Sequence, residues 1–223
     1  MAASYFDVDG TLVRTNLIHP TLYYLLNQST PLATARKVGR ALLRGPAMAL
    51  AELRDRRRFN ELLYSAYEGL SEDRLEVLSE QVFKKVLEPA FHPFALELME
   101  QTRSEGRQIV LVSGELDSIL RHVARYLNAD HVIANRLEMK DRIATGRLFT
   151  PIVAGPTKAR LIRDHARENG FDLDECHAYS DSYSDVPMLS VVGHPTAVNP
   201  DQRLRQVAKA YSWPILTPAR RRS

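Results

Sequence analysis

Hydrophobic positions recur along this chain with two different periods, and the change from one to the other falls near His92-Pro93. The chain opens on a short apolar run, Tyr5-Phe6, that passes into Asp7-Val8-Asp9-Gly10-Thr11-Leu12. In an extended strand successive side chains take opposite faces, so Asp7 and Asp9 point one way while Val8 points into a core. From about Asn16 to Glu88 the period is helical, with no convincing strand. Leu22, Leu25 and Leu26 mark one helix, and Ser29-Thr30-Pro31 ends it and starts another, Pro31 standing at a favourable first position. Val38, Leu42 and Leu43 line the next helix, which Gly45-Pro46 is expected to interrupt. A longer helix is expected through Leu50, Leu53, Phe59 and Leu62-Leu63, and Ser71-Glu72-Asp73 caps a last one that ends near Glu88-Pro89.

Beyond His92-Pro93 helices alternate with short β-branched strands, the pattern of a parallel sheet with crossover helices. A helix over Pro93 to Glu105 stops at Gly106, and Gln108 to Val112 follows as a buried parallel strand. Ser113-Gly114-Glu115 is expected to open a helix over Leu116 to Leu127, followed by a strand at His131 to Ala134. Residues 136–149 read as a β-hairpin. Gly155-Pro156-Thr157 starts a helix that carries Lys158 and stops near Gly170. His177 to Ser180 is a strand running into Asp181-Ser182-Tyr183-Ser184-Asp185, with short strands expected at Thr196 to Val198 and Tyr211 to Leu216. Arg220-Arg221-Arg222 forms a basic tail expected to fray. The fold class is therefore α/β, a doubly wound parallel sheet, with residues 1–15 and 89–223 as its core and residues 16–88 as a helical insertion.

Composition narrows the function classes without choosing among them. At 223 residues, 44% hydrophobic and 26% charged, the chain is an ordinary globular one with enough length for a substantial core. A formal charge of +3 mildly favours anionic ligands but asks for no nucleic acid. The single cysteine, Cys176, excludes an intrachain disulfide framework. No leader pattern precedes the acidic motif and no apolar stretch reaches membrane-spanning length, so the expected location is the cytoplasm. The basic clusters Arg36-Lys37, Arg40, Arg44 and Arg54 to Arg58, set beside apolar helix faces, leave peripheral contact with the inner membrane surface open. A solvated helix face is the plainer reading of the same clusters.

The chemistry lies in where polar residues fall. Asp7 and Asp9, Ser113, and Asp181 with Asp185 each stand just past the carboxyl end of an expected strand, the edge where open parallel sheets bind ligands. Lys158 occupies the first turn of a helix that would pack over that edge. Each has an ordinary alternative: a turn for Asp-x-Asp-Gly-Thr, a helix cap for Ser113-Gly114 or Asp185, a solvated lysine for Lys158. Together they supply carboxylates for a metal, a hydroxyl and amides for an anion, and a fixed positive charge, which suits phosphoryl transfer.

In that order and spacing, Asp7-Val-Asp-Gly-Thr11, Val112-Ser-Gly114, Lys158 and Tyr179-Ser-Asp-Ser-Tyr-Ser-Asp-Val-Pro-Met-Leu189 resemble the haloacid dehalogenase superfamily of phosphatases. The resemblance is to the phosphoserine-phosphatase-like branch, subfamily IB, which inserts a helical cap in the roughly hundred residues between the first two motifs. It takes in Ala134-Asn135-Arg136-Leu137 and the hairpin, and is weaker in the insertion. It implies a Mg²⁺-dependent phosphomonoester hydrolase with Asp7 as nucleophile and Asp9 as general acid and base. It implies Mg²⁺ on Asp7, the Asp9 carbonyl, Asp181 and Asp185, and phosphoryl oxygens on Ser113, Gly114, Lys158 and Thr11. The substrate it implies is a small-molecule phosphomonoester chosen by the cap, and the basic clusters beside apolar faces in the insertion would suit an acidic or lipid-like one. Where phosphoserine phosphatases place an acid for the substrate ammonium, nine residues after the nucleophile, this chain has Asn16. Alternatives left open are phosphoserine phosphatase proper, a phosphotransferase or mutase, and a non-catalytic phosphate- or membrane-binding module.

Overall fold

The computed structural model describes residues 1–28 and 30–217, without the side chains of Ala33 and Leu53, so the basic tail at Arg220 to Arg222 lies outside the described residues. Its centre is a six-stranded parallel sheet in the order β3-β2-β1-β6-β7-β8. The strands are β1 (Ala3–Phe6), β2 (Gln108–Leu116), β3 (His131–Asn135), β6 (His177–Ser180), β7 (His194–Val198) and β8 (Ile215–Leu216). A separate antiparallel hairpin pairs β4 (Leu137–Lys140) with β5 (Ile143–Leu148).

Strand alternation divides the core into two layers. Phe6, Ile109 and Leu111 face α5 (Phe94–Ser104) and α6 (Asp117–Leu127), through Met99, Ile119 and Val123. Tyr5, Val110 and Val112 face the other way, onto α7 (Pro156–Asn169), α8 (Val186–Leu189) and α9 (Gln202–Ala210), through Ile162, Met188 and Leu204. Both faces are covered, which is why these strands are apolar at successive positions. The chain builds outward from β1 in both directions, first through β2 and β3 and later through β6, β7 and β8. The switch of direction therefore falls between β1 and β6, and the crevice at that point is where such sheets place ligands.

Between β1 and α5 lie α1 (Ile18–Leu26), α2 (Pro31–Arg54), α3 (Arg56–Tyr64) and α4 (Glu72–Val82). Phe59, Leu63, Tyr64, Leu78 and Val82 merge with the α5–α6 layer into one apolar cluster. The β4–β5 hairpin ties the insertion down from the far side, through Gly69 N to Ala144 O at 2.9 Å and Ala144 N to Leu70 O at 2.7 Å.

Several boundaries depart from expectation for identifiable reasons. Gly45-Pro46 does not interrupt α2, which runs 24 residues through it. Pro46 forgoes one helix hydrogen bond, but Gly45 lacks the Cβ that would crowd the proline ring. The break comes instead at Asp55, which leaves the helix at φ −153° and accepts hydrogen bonds from the Arg57 and Arg58 amides, so that it caps α3. Ser113-Gly114-Glu115 does not open a helix. β2 continues to Leu116, with a register shift against β3 between Val112 and Leu116, and α6 starts only at Asp117. α9 was not expected, β7 begins at His194, and β8 is confined to Ile215–Leu216.

Candidate active site

The carboxyl ends of β1, β2 and β6 are neighbours in the sheet, and they bring the expected residues together. Asp7 follows β1 directly and is buried, its amide bonded to Tyr179 O at 2.9 Å. The chain then turns tightly, with the Leu12 and Val13 amides returning to Val8 O. Gly10 is required in that turn. Its φ is +82°, and a Cβ there would stand 2.2 Å from Asp181 Oδ2, a contact no side chain tolerates. The glycine thus lets the β1 and β6 loops close on each other.

Lys158 Nζ, 5% exposed, donates to Asp7 Oδ1 at 2.6 Å and to Asp185 Oδ2 at 2.8 Å. Ser180 Oγ donates to the same Asp185 oxygen at 2.8 Å. Thr11 Oγ1 lies 3.0 Å from Asp7 Oδ2 and 3.1 Å from Asp181 Oδ1, and accepts the Asp181 amide at 3.0 Å. Thr11 has no exposed surface, so its hydroxyl ties the two loops together rather than facing the pocket. Ser113 Oγ donates to Asp9 Oδ2 at 3.0 Å and accepts the Glu115 amide at 2.9 Å. With α6 starting at Asp117, Gly114 lies within β2 and not in the first turn of a helix.

A small pocket of about 30 Å³ opens among Asp7, Asp9, Gly114, Lys158 and Asp185. Its remaining wall comes partly from the insertion, as Leu17, Arg56 and Asn60. Asn16 is not in that wall. It is exposed, and its Oδ1 accepts the Ile18 amide at 3.1 Å and lies 2.9 Å from His19 Nδ1.

Several residues of the site have no counterpart in the sequence reading. Arg56 lay within a basic run without being singled out, and Asn60, Tyr64 and Glu115 gave no signal, because what makes them relevant is α3 packing over the end of β2; Ser180 matters through its bond to Asp185. Tyr64 OH lies 2.9 Å from Gly114 O and 3.0 Å from Glu115 Oε1, while Glu115 Oε2 is buried without a hydrogen-bond partner among the described residues. Asn135, within the segment that carries the family resemblance, donates to Gly114 O at 2.8 Å and accepts the Val153 amide at 2.8 Å.

Burial and crowding of like charges dominate the electrostatics. Burial, reinforced by Glu115 and Asp7, pushes the Asp9 carboxyl well above its ordinary range, against the opposing bond from Ser113. Asp181 is pushed up to about 8 by burial and then by Asp7 and Asp185. Burial also raises Asp7, against the pull of Lys158. Burial opposes the Lys158 charge, but Asp185 and Asp7 more than offset it and hold the ammonium charged. One lysine thus leaves a cluster of carboxylates short of positive charge. That shortfall, together with an all-oxygen donor set, fits Mg²⁺. Among the described residues no three carboxylate, imidazole or thiol groups form a ready-made cage, and Mg²⁺ commonly takes one or two carboxylates and completes its shell with water and phosphate oxygens.

A family model described as haloacid dehalogenase-like hydrolase matches residues 5–190, and so contains every residue of this pocket. The chain belongs to the haloacid dehalogenase-like hydrolase family. Within it, the hydrolase is 34% identical over 219 residues to the "Inhibition of morphological differentiation protein" of Streptomyces azureus, covering 96% of this chain and 77% of that protein. It is 31% identical over 229 residues to the phosphoserine phosphatase SerB1 of Mycobacterium tuberculosis, covering 96% of this chain and 70% of that one. The fold matches the solved phospho-aspartyl intermediate analogue of a phosphoserine phosphatase with a TM-score of 0.71, at 19% identity, over 98% of this chain and 94% of that one. The hydrolase therefore falls in the phosphoserine-phosphatase-like branch.

Proposed function

We propose that this hydrolase is a Mg²⁺-dependent phosphomonoester phosphatase that works through a phospho-aspartyl intermediate on Asp7, with residues 16–88 as the cap that selects the leaving group. The observation that carries this reading is the buried Lys158 ammonium held between Asp7 and Asp185 at the pocket floor, with Asp9 on the adjoining wall. The phospho-aspartyl chemistry named for the solved phosphoserine phosphatase, and its matching fold, support it.

In the first step Asp7 attacks phosphorus while the bond to the leaving oxygen breaks. Asp9, whose carboxyl is held well above its ordinary range by burial, donates its proton to that oxygen. In the second step the Asp9 carboxylate takes a proton from a water that attacks the aspartyl phosphate, releasing inorganic phosphate and restoring both carboxyls. Splitting the displacement in two is the advantage of a covalent nucleophile. Lys158 offsets the charge that spreads over the equatorial phosphoryl oxygens. The Gly114 amide serves those oxygens, the buried Ser113 hydroxyl orients Asp9, and Thr11 holds Asp7 and Asp181 in register. Asp7, the Asp9 carbonyl, Asp181 and Asp185 would hold Mg²⁺, which when bound supplies the positive charge that this acidic cluster lacks.

The leaving group is a small or lipid-like alcohol rather than serine. Relatives named as phosphoserine phosphatases support serine, but Asn16 carries no charge, is bonded to Ile18 and His19, and does not line the pocket. A substrate ammonium would find no carboxylate there. Arg56, in the wall beside Asn60 and paired with Glu52 at 3.3 Å, suits an anionic substituent on the leaving group, a feature that does not itself separate serine from other acidic alcohols. The test is phosphate release from an aryl phosphate and from a panel holding phosphoserine, sugar phosphates and lysolipid phosphates. Asp7→Asn should lower turnover by more than about 10³-fold with the melting temperature retained, and Asp9→Asn by about 10² to 10⁴-fold. Unchanged phosphate release in Asp7→Asn, or transfer of phosphate to an added alcohol in place of its release, would overturn the reading.

A further inference from the structure

Helix α2 is 24 residues long, yet Ala51 is its only fully buried side chain among those described. Its outward face is apolar. Leu32, Leu42, Leu43 and Leu50 are 80, 73, 85 and 50% exposed. At about 100° per residue, Leu32, Leu43 and Leu50 fall within about 20° of one another, and Gly39, Ala35, Pro46 and Leu42 continue the stripe on one side. On the other side stand Arg36, Arg54 and Arg40, all exposed. The helix carries five cations against one acid. Among the described residues Arg36, Arg40, Arg44 and Arg54 make no ion pair, while that acid, Glu52, is taken by Arg56 at 3.3 Å.

The underside of the helix accounts for its seating without using these residues. Lys37 donates to the Ala66 and Glu68 carbonyls at 2.8 and 3.0 Å, and Arg44 donates to Ser65. Even so, α2 sits over an apolar groove of about 420 Å³ shared with α1 and α3. Ile18, Leu22 and Leu26 of α1, 40, 47 and 56% exposed, extend the apolar surface at its edge. None of the outward residues lines the catalytic pocket.

We propose that this face of α2 is a docking surface for an anionic lipid bilayer, with the leucines in the headgroup boundary and Arg36, Arg40 and Arg54 against lipid phosphates. An exposed apolar stripe bordered by cations is the arrangement of a helix lying in a membrane interface. Among the described residues no helix is long and apolar enough to cross a bilayer, which agrees with a helix that lies in the plane. A symmetric second copy is the poorer occupant, because a self-complementary contact would set one row of unpaired arginines against another. The inference stands independently of the phosphatase reading.

Sedimentation of the full chain with vesicles tests it, using equimolar phosphatidylglycerol and phosphatidylcholine against phosphatidylcholine alone. Partition onto the anionic vesicles should be at least about tenfold higher at low salt and should weaken as salt rises. The double variant Leu42→Glu, Leu43→Glu should lose at least about tenfold of that partition, and Arg36→Glu with Arg40→Glu should remove its salt dependence. Because both leucines are solvent-exposed and outside the pocket, hydrolysis of a soluble aryl phosphate should be unchanged in the leucine variant, which separates this inference from the catalytic one. Equal partition onto both vesicle types, or undiminished binding by the leucine variant, overturns it. A mass that doubles with concentration and reverts on Leu43→Glu, without vesicle binding, also overturns it and assigns the face to a second copy.

Discussion

Glu115 shows how a single buried carboxyl links the insertion to the catalytic chemistry. One oxygen receives the Leu116 amide, and Tyr64 of α3 stands 3.0 Å from it, while the other has no partner among the described residues. Burial lifts its pKa from 4.5 to about 7, against those two bonds. A raised carboxyl means that the folded protein holds a proton which the unfolded chain has released. The stabilisation is complete below about pH 4.5 and is lost as pH rises through about 7. In chelator, then, the melting temperature of Glu115→Gln relative to the parent should climb between pH 5 and pH 8. Parallel melting curves across that range would show that Glu115 does not carry the proton. The residue lies beside Ser113 and Gly114, yet its significance was not legible: a glutamate after Ser-Gly looks like a helix's first turn until β2 is seen to run past it.

Helix α3 places Arg56 and Asn60 in the pocket wall and Tyr64 against the end of β2, and its start is set by Asp55. The Asp55 side chain receives two amides that the helix cannot satisfy internally. Asp55→Ala should cost about 1 kcal/mol of stability, measured by denaturant unfolding, and should raise KM for the preferred substrate more than it lowers kcat, since Asp7, Asp9 and Lys158 do not rest on α3. A fall in kcat alone would place α3 in the chemistry rather than in substrate binding. The helical character of residues 16–88 was legible from their 3.6-residue period. The location of the breaks was not, because proline and glycine are read as breakers by default, whereas here an aspartate with two amides to cap outweighed a proline whose neighbour left room for its ring.

Across the whole molecule the sheet order concentrates negative charge at one crevice, and a divalent cation should report on it. On the proposed reading Mg²⁺ should raise the melting temperature, because an ion held by the folded site and not by the unfolded chain stabilises the fold. Asp181 releases its proton only near pH 8 without the ion, so protons compete with the metal. The stabilisation by a fixed Mg²⁺ concentration should be larger at pH 8.5 than at pH 6.5, and Asp181→Asn should lose most of it. A shift independent of pH, or equal in the variant, would place the ion elsewhere.

By itself the amino-acid order determined the α/β class, the helical insertion and the chemical types of Asp7, Asp9, Ser113, Lys158, Asp181 and Asp185, because strand alternation and helix periodicity are local and these residues stand past strand ends or, for Lys158, in the first turn of a helix. Only the tertiary structure decided that Thr11 joins two loops rather than facing a ligand, that Gly10 exists to let Asp181 approach, and that Asn16 bonds to Ile18 and His19 outside the pocket wall. It alone brought Arg56, Asn60 and Tyr64 to the site and left the leucines of α2 facing outward. The physical reason is that these facts depend on which surfaces meet across a hundred residues of chain, and neither periodicity nor turn chemistry carries information over that distance.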